Sequence, residues 1–99
     1  PKLATREFTV TEFVPVNLPE GMTWEPLTKQ LTIKVRGLKG EVQLLNASAI
    51  VVLVDLTGVE NTSAVEPVIR FPETLSSLGE VGSYSISVQV MPESTEAEE

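Results

Sequence analysis

Asp55, the single aspartate of the chain, ends an apolar run and is followed by Glu60 and Asn61 in the segment LTGVEN. These side chains are the nearest the sequence comes to a calcium loop, yet calcium takes roughly six to eight oxygen ligands from closely spaced carboxylates and carbonyls. The spacing is too sparse, and the expectation is a structural loop whose aspartate accepts hydrogen bonds from the turn amides that follow it. With no histidine and no cysteine in 99 residues, zinc has no ligand set and neither a Ser–His nor a Cys–His nucleophile can be assembled. Ser76, Ser77 and Ser83 show no spacing that would pair one of them with a lysine base. Paired carboxylates can hydrolyse glycosides, but glutamates spread along polar strand faces read as solvated charges. The inventory predicts no catalytic residue, no metal and no cofactor, and a chain that is not an enzyme.

Two features are suited to recognition instead. RGLKG, residues 36–40, sets Arg36 and Lys39 among two glycines with Lys34 beside them, on an otherwise acidic chain. Backbone amides of such a turn can greet an anion, but the segment lacks phosphate-loop spacing and reads first as a strand-to-helix turn. Trp24, in GMTWEP, falls in an expected loop, where it is either a lid over the core or an exposed anchor, the lid being favoured. Trp24, Arg36 and Lys39 are the candidates for an interaction surface. Fourteen acidic residues against seven basic ones give a net charge of -7, which repels nucleic acid and anionic lipid. Glu93, Glu96, Glu98 and Glu99 belong to the tail PESTEAEE, leaving a body of ten acids and seven bases.

The elements that must position these residues are β-strands. AIVVLVDLTG, residues 49–58, is apolar at consecutive positions and predicts a central strand covered on both faces. EFTVTEFVPV, residues 7–16, alternates at Phe8 and Val10 and slips at Glu12 and Phe13, predicting one strand with a bulge or bend. Pro15 suits an edge or a strand end, and NLPEGM reads as a turn. Leu31, Ile33 and Val35 alternate with polar residues up to Gly37, the pattern of a half-buried strand. Leu38, Val42 and Leu45 recur at helical spacing and predict a short helix or two turns. Residues 56–64 predict a polar loop with Gly58 and Asn61 available for positive φ. AVEPVIRF predicts a strand with Val65, Ile69 and Phe71 on one face, and YSISVQV another with Tyr84, Ile86, Val88 and Val90 aligned before Pro92.

The expected fold class is mainly β, a single small domain of about five strands with at most one short helical turn over residues 1–92. A domain of this length buries about two-thirds of its unfolded surface. Residues 93–99, acidic and without aromatics, are expected to be a disordered tail. The longest apolar run, residues 49–54, is far short of the ~20 residues that cross a bilayer, and PKLATREF has no signal-peptide core. Beginning at Pro1 rather than Met, the chain reads as a segment of a longer protein whose anchor or targeting sequence would lie upstream.

Taken in order, NLPEGMTWEP, LTIKVRG, the Leu-rich turn, AIVVLVDLTG, VEPVIRFP and YSISVQV resemble a repeat of the YbbR family over roughly residues 9–90. The family's Asn-Leu-Pro segment falls on Asn17, Leu18 and Pro19, its arginine–glycine strand end on Arg36 and Gly37, and its Val-Asp-Leu-Ser/Thr strand on Val54, Asp55, Leu56 and Thr57. The sequence departs from the family pattern in having no glycine between Gly58 and Gly79. The resemblance implies a mainly β fold similar to the C-terminal domain of the ribosomal L25 type. It further implies a bacterial parent protein with a transmembrane helix followed by several such repeats on the outer face of the cytoplasmic membrane, similar to the regulator of the membrane diadenylate cyclase that makes cyclic di-AMP. On that view the partners are the cyclase, through the parent, and neighbouring repeats of the same chain, with no nucleic acid. No catalytic residue is carried over, and Asn17, Arg36, Gly37 and Asp55 are matched as fold landmarks only. The implied role is a non-catalytic protein-interaction or spacer module. A reading of another class is a cell-wall carbohydrate-binding module with Trp24 and Tyr84 as stacking platforms.

Overall fold

The computed structural model describes residues 2–93, which form nine short strands, one α-helix and one 3-10 turn. Strands β1 (Leu3–Val10), β4 (Leu31–Leu38) and β8 (Gly79–Val81) make an antiparallel sheet in the order β1-β4-β8. In a second sheet, β5 (Val51–Asp55) lies between β2 (Val14–Val16), its parallel neighbour, and β7 (Val68–Arg70), its antiparallel one. A third, antiparallel sheet places β9 (Ile86–Pro92) between β3 (Met22–Pro26) and β6 (Asn61–Val65). Helix α1 (Lys39–Leu44) follows β4 directly, and the 3-10 turn Ala47–Ala49 leads into β5. The fold is mainly β as expected, with nine strands where the alternation suggests five.

The extra strands arise where the chain changes sheets. Residues 7–16 do not form one bent strand: the slip at Glu12 and Phe13 is the crossing from β1 in the first sheet to β2 in the second. AVEPVIRF is likewise divided, β6 pairing with β9 and β7 with β5. Pro67 has no amide to donate and disfavours a regular ladder through Glu66, so the chain turns between sheets there. The expected loop over residues 56–64 is a tight turn at Thr57 and Gly58 followed by β6. Trp24 stands on β3 and not in a loop. The expected acidic tail lies outside the described residues apart from Glu93.

Two hydrophobic clusters lie along β5. Ile50 and Val52 join Phe8, Val10, Ile33, Val35, Leu45 and Ile69 in the first. Val54 and Leu56 join Ile86, Val88 and Val90 in the second, and Phe13 and Leu31 pack against both. Positions 50, 52, 54 and 56 share one face by strand periodicity, and all are buried. The opposite face of β5 is not covered as the apolar run suggests: Val51 is 40% exposed and Leu53 half-buried. Beside β5 stand two three-residue strands, too short to carry a further layer. Helix α1 forms where Leu38, Val42 and Leu45 predict it, burying Val42 and delivering Leu45 to the first cluster.

Candidate functional site

The parallel register of β2 on β5 sets Val16 beside Asp55, and the Leu56 amide donates to the Val16 carbonyl at 2.8 Å. The next residue, Asn17, adopts φ 62°, a left-handed conformation that asparagine tolerates. There its Nδ2 donates to Asp55 Oδ1 at 3.0 Å. The same oxygen accepts from the Thr57 hydroxyl at 2.7 Å and from the Thr57 amide at 3.0 Å. The Thr57 hydroxyl, then the Asn17 amide, then the Thr57 backbone hold the Asp55 carboxyl below its ordinary pKa. Asp55 is therefore the turn-capping aspartate the sequence suggests, with Gly58 and Asn61 at φ 73° and 57° completing the reversal. Among the described residues no three acidic side chains gather as metal ligands.

A second clamp closes around the arginine–glycine pair. Ser77 donates its amide at 2.9 Å and its hydroxyl at 2.5 Å to Glu41 Oε1, and its hydroxyl oxygen accepts the Leu38 amide at 3.0 Å. The Ser77 hydroxyl first, then its amide, lower the pKa of Glu41. A Cβ on Gly37 would stand 2.7 Å from Leu78 Cδ2 and 3.0 Å from both Ser77 oxygens, so the glycine lets the 72–78 segment approach β4. Two amides that RGLKG could offer an anion are occupied, that of Leu38 by Ser77 and that of Lys39 by the Lys2 carbonyl at 2.8 Å. The segment works as a strand-to-helix turn. Ser77 and Glu41 carry no signal in the sequence, being separated by 36 residues without a shared motif.

Both clamped carboxylates have lowered folded-state pKa values. Their contribution to stability is complete above their ordinary values of 4.5 for Glu41 and 3.8 for Asp55, and it is lost as pH falls through the lowered ones. The thermal midpoint is expected to drop on acidification from about pH 5 to about pH 3. The double variant Asp55→Asn, Glu41→Gln is expected to flatten that limb, and an unchanged acid slope in melts of the variant would rule the clamps out as its cause.

The three candidate interaction residues do not meet. Arg36 and Lys39 are exposed at one end of the first sheet, Arg36 opposite Thr5 on one side and Gly79 on the other. Trp24 is on the third sheet, opposite Val90, half-buried against the second cluster as a lid. Tyr84 packs on the first cluster; its hydroxyl donates to the Val81 carbonyl at 2.6 Å and accepts the Lys34 amide at 2.9 Å. The two rings thus serve different clusters and form no shared platform.

No protein-family model matches the chain, and no curated protein does. A solved structure does: the crystal structure of the YbbR-like domain of the lmo2119 protein from Listeria monocytogenes superposes with a TM-score of 0.69, over 90% of this chain and 94% of that one, at 14% identity. The three sheets therefore make up the fold of a YbbR-like domain.

Proposed function

We propose that the chain is a non-catalytic repeat of a membrane-anchored bacterial protein that regulates a diadenylate cyclase, and that it acts outside the cytoplasmic membrane as a protein-interaction or spacer module. The observation that carries this reading is the likeness to a YbbR-like domain over 90% of the chain. The two places where the family landmarks fall support it, since Asn17 with Asp55 and Arg36 with Gly37 stand at the clamps that set the fold. Asp55 and Glu41, the two carboxylates with displaced acidity, each commit an oxygen to those clamps. No helix among the described residues is long and apolar enough to cross a membrane, so in this reading the anchor belongs to the rest of the parent protein.

The test is the cyclic di-AMP level in cells carrying the cyclase and the full parent protein, with and without this segment. A changed level is the expected result. An unchanged level, with the shortened parent still present in the membrane, would sink the regulatory role.

A further inference from the structure

The two ends of the molecule differ in chemistry. From the pairing of Val10 with Leu31, where Leu31 touches both clusters, the β1–β4 ladder runs outward to Leu3 opposite Leu38 and on to α1. The β3–β9 ladder runs the other way, from Pro26 opposite Val88 to Met22 opposite Pro92, where the Glu93 amide donates to the Gly21 carbonyl at 2.8 Å. The described chain therefore enters at one pole and leaves at the opposite one.

The entry pole is apolar and basic. Leu44 is 69% and Leu3 56% exposed, beside an open cleft of about 480 Å³ lined by Lys2, Leu38, Lys39, Gly40, Glu41 and Leu44. Scattered exposed leucines are ordinary, but leucines gathered round a cleft are a patch. Glu41, the acid in that lining, keeps its charge while its Oε1 is held by Ser77, and Lys2 and Lys39, with Arg36 exposed nearby on β4, outnumber it. At the far pole Glu20, Glu60 and Glu93 are exposed together with Leu18 and Met91. The segments 16–23, 57–62 and 88–93 that build it contain no lysine or arginine.

We infer that the entry pole docks the far pole of a second copy of this domain, head to tail. Leu3 and Leu44 then cover Leu18 and Met91, while Lys2 and Lys39 face Glu20, Glu60 and Glu93. The charges select this arrangement: like poles repel, and opposite poles attract and are steered together. An anionic lipid surface would meet the same lysines but would leave Leu18 and Met91 of the far pole exposed, whereas a second copy covers both patches. A contact between unlike patches at opposite ends of a molecule 62 Å long and 21 × 19 Å across extends in a row rather than closing into a small ring, and poles this narrow give a weak, transient association. The inference gives a contact surface to the like-domain neighbours that the repeat reading implies, but it rests on the two poles and not on the regulatory role.

The test mixes isotope-labelled and unlabelled protein at high concentration and low salt, then applies a carbodiimide that joins amines directly to carboxylates in contact. Mixed-isotope products linking Lys2 or Lys39 to Glu20, Glu60 or Glu93 are expected. In sedimentation equilibrium, Lys39→Glu with Leu44→Ser is expected to weaken association about tenfold or more, while Lys39→Glu combined with Glu20→Lys restores it to within about threefold. These positions are exposed, so melts of the variants should match the parent. A protein that stays monomeric at millimolar concentration, or cross-links that map elsewhere, would overturn the proposal. So would failure of the charge exchange to restore association, or a monomer that instead floats with phosphatidylglycerol vesicles.

Discussion

Val52→Asp is expected to unfold the domain: the variant should show no cooperative thermal transition, while Val51→Asp, one residue away, should melt close to the parent. Val52 is fully buried on the face of β5 that feeds both clusters, and among the described residues no buried polar or charged group exists to receive a carboxylate. The substitution removes about 1.5–3 kcal/mol of apolar burial. It also leaves an unpaired carboxyl that either remains charged at high cost or takes up a proton, for several kcal/mol more. A domain of this size holds about 5–15 kcal/mol in all, so the loss approaches the whole. Val51 looks the other way and is 40% exposed, where an aspartate keeps its water and costs about 1 kcal/mol or less. Equal damage at both positions would mean that β5 is covered on both faces, as its apolar run first suggests; a cooperative melt of Val52→Asp would remove β5 from the core.

That contrast shows what the residues disclose and what they withhold. Periodicity identifies β4 and β9 because each keeps one buried face along its length, Ile33 and Val35 in the first cluster, Ile86, Val88 and Val90 in the second, and it identifies α1 because Val42 and Leu45 are buried at helical spacing. It fails where a segment serves two sheets, since the alternation in residues 7–16 and in AVEPVIRF says which side chains are buried and not which neighbour pairs with the backbone. β8, with the sequence GEV, has no buried side chain to advertise it and exists because β4 offers an unpaired edge. β3 is hidden for another reason: Met22, Trp24 and Pro26 are half-buried in alternation, but the turn residues before them suggest a longer loop. Within the candidate site, Asp55 is legible because its partner Thr57 is two residues away. Asn17 is 38 residues distant, and only the parallel pairing of β2 on β5 brings it in. The same holds for Ser77 on Glu41, a contact no local rule anticipates.

Gly37→Val is expected to cost about 3–5 kcal/mol and to lower the urea midpoint without changing the slope of the transition. The cause is steric. Gly37 is not among the glycines with positive φ, so a side chain meets no backbone strain there; it meets Leu78 Cδ2 at 2.7 Å and the two Ser77 oxygens at 3.0 Å. Alanine displaces the flexible end of Leu78 and presses on the Ser77 carbonyl, for about 1–2 kcal/mol. Valine, with two further methyl groups, pushes the segment away, and the Leu38–Ser77–Glu41 hydrogen bonds open with it. The cost should therefore climb with side-chain volume from Ala to Ser to Val, and Leu78→Ala should relieve part of it in a double-mutant cycle. Gly58 behaves oppositely, because it sits at φ 73° with open space around its Cβ position. Alanine there costs about 1–2 kcal/mol from backbone strain, and lengthening it to leucine adds little. Denaturation series at both positions separate the two mechanisms. A cost at Gly37 that does not depend on volume would mean that the 72–78 segment is not packed against β4, and the second clamp would have to be abandoned with it.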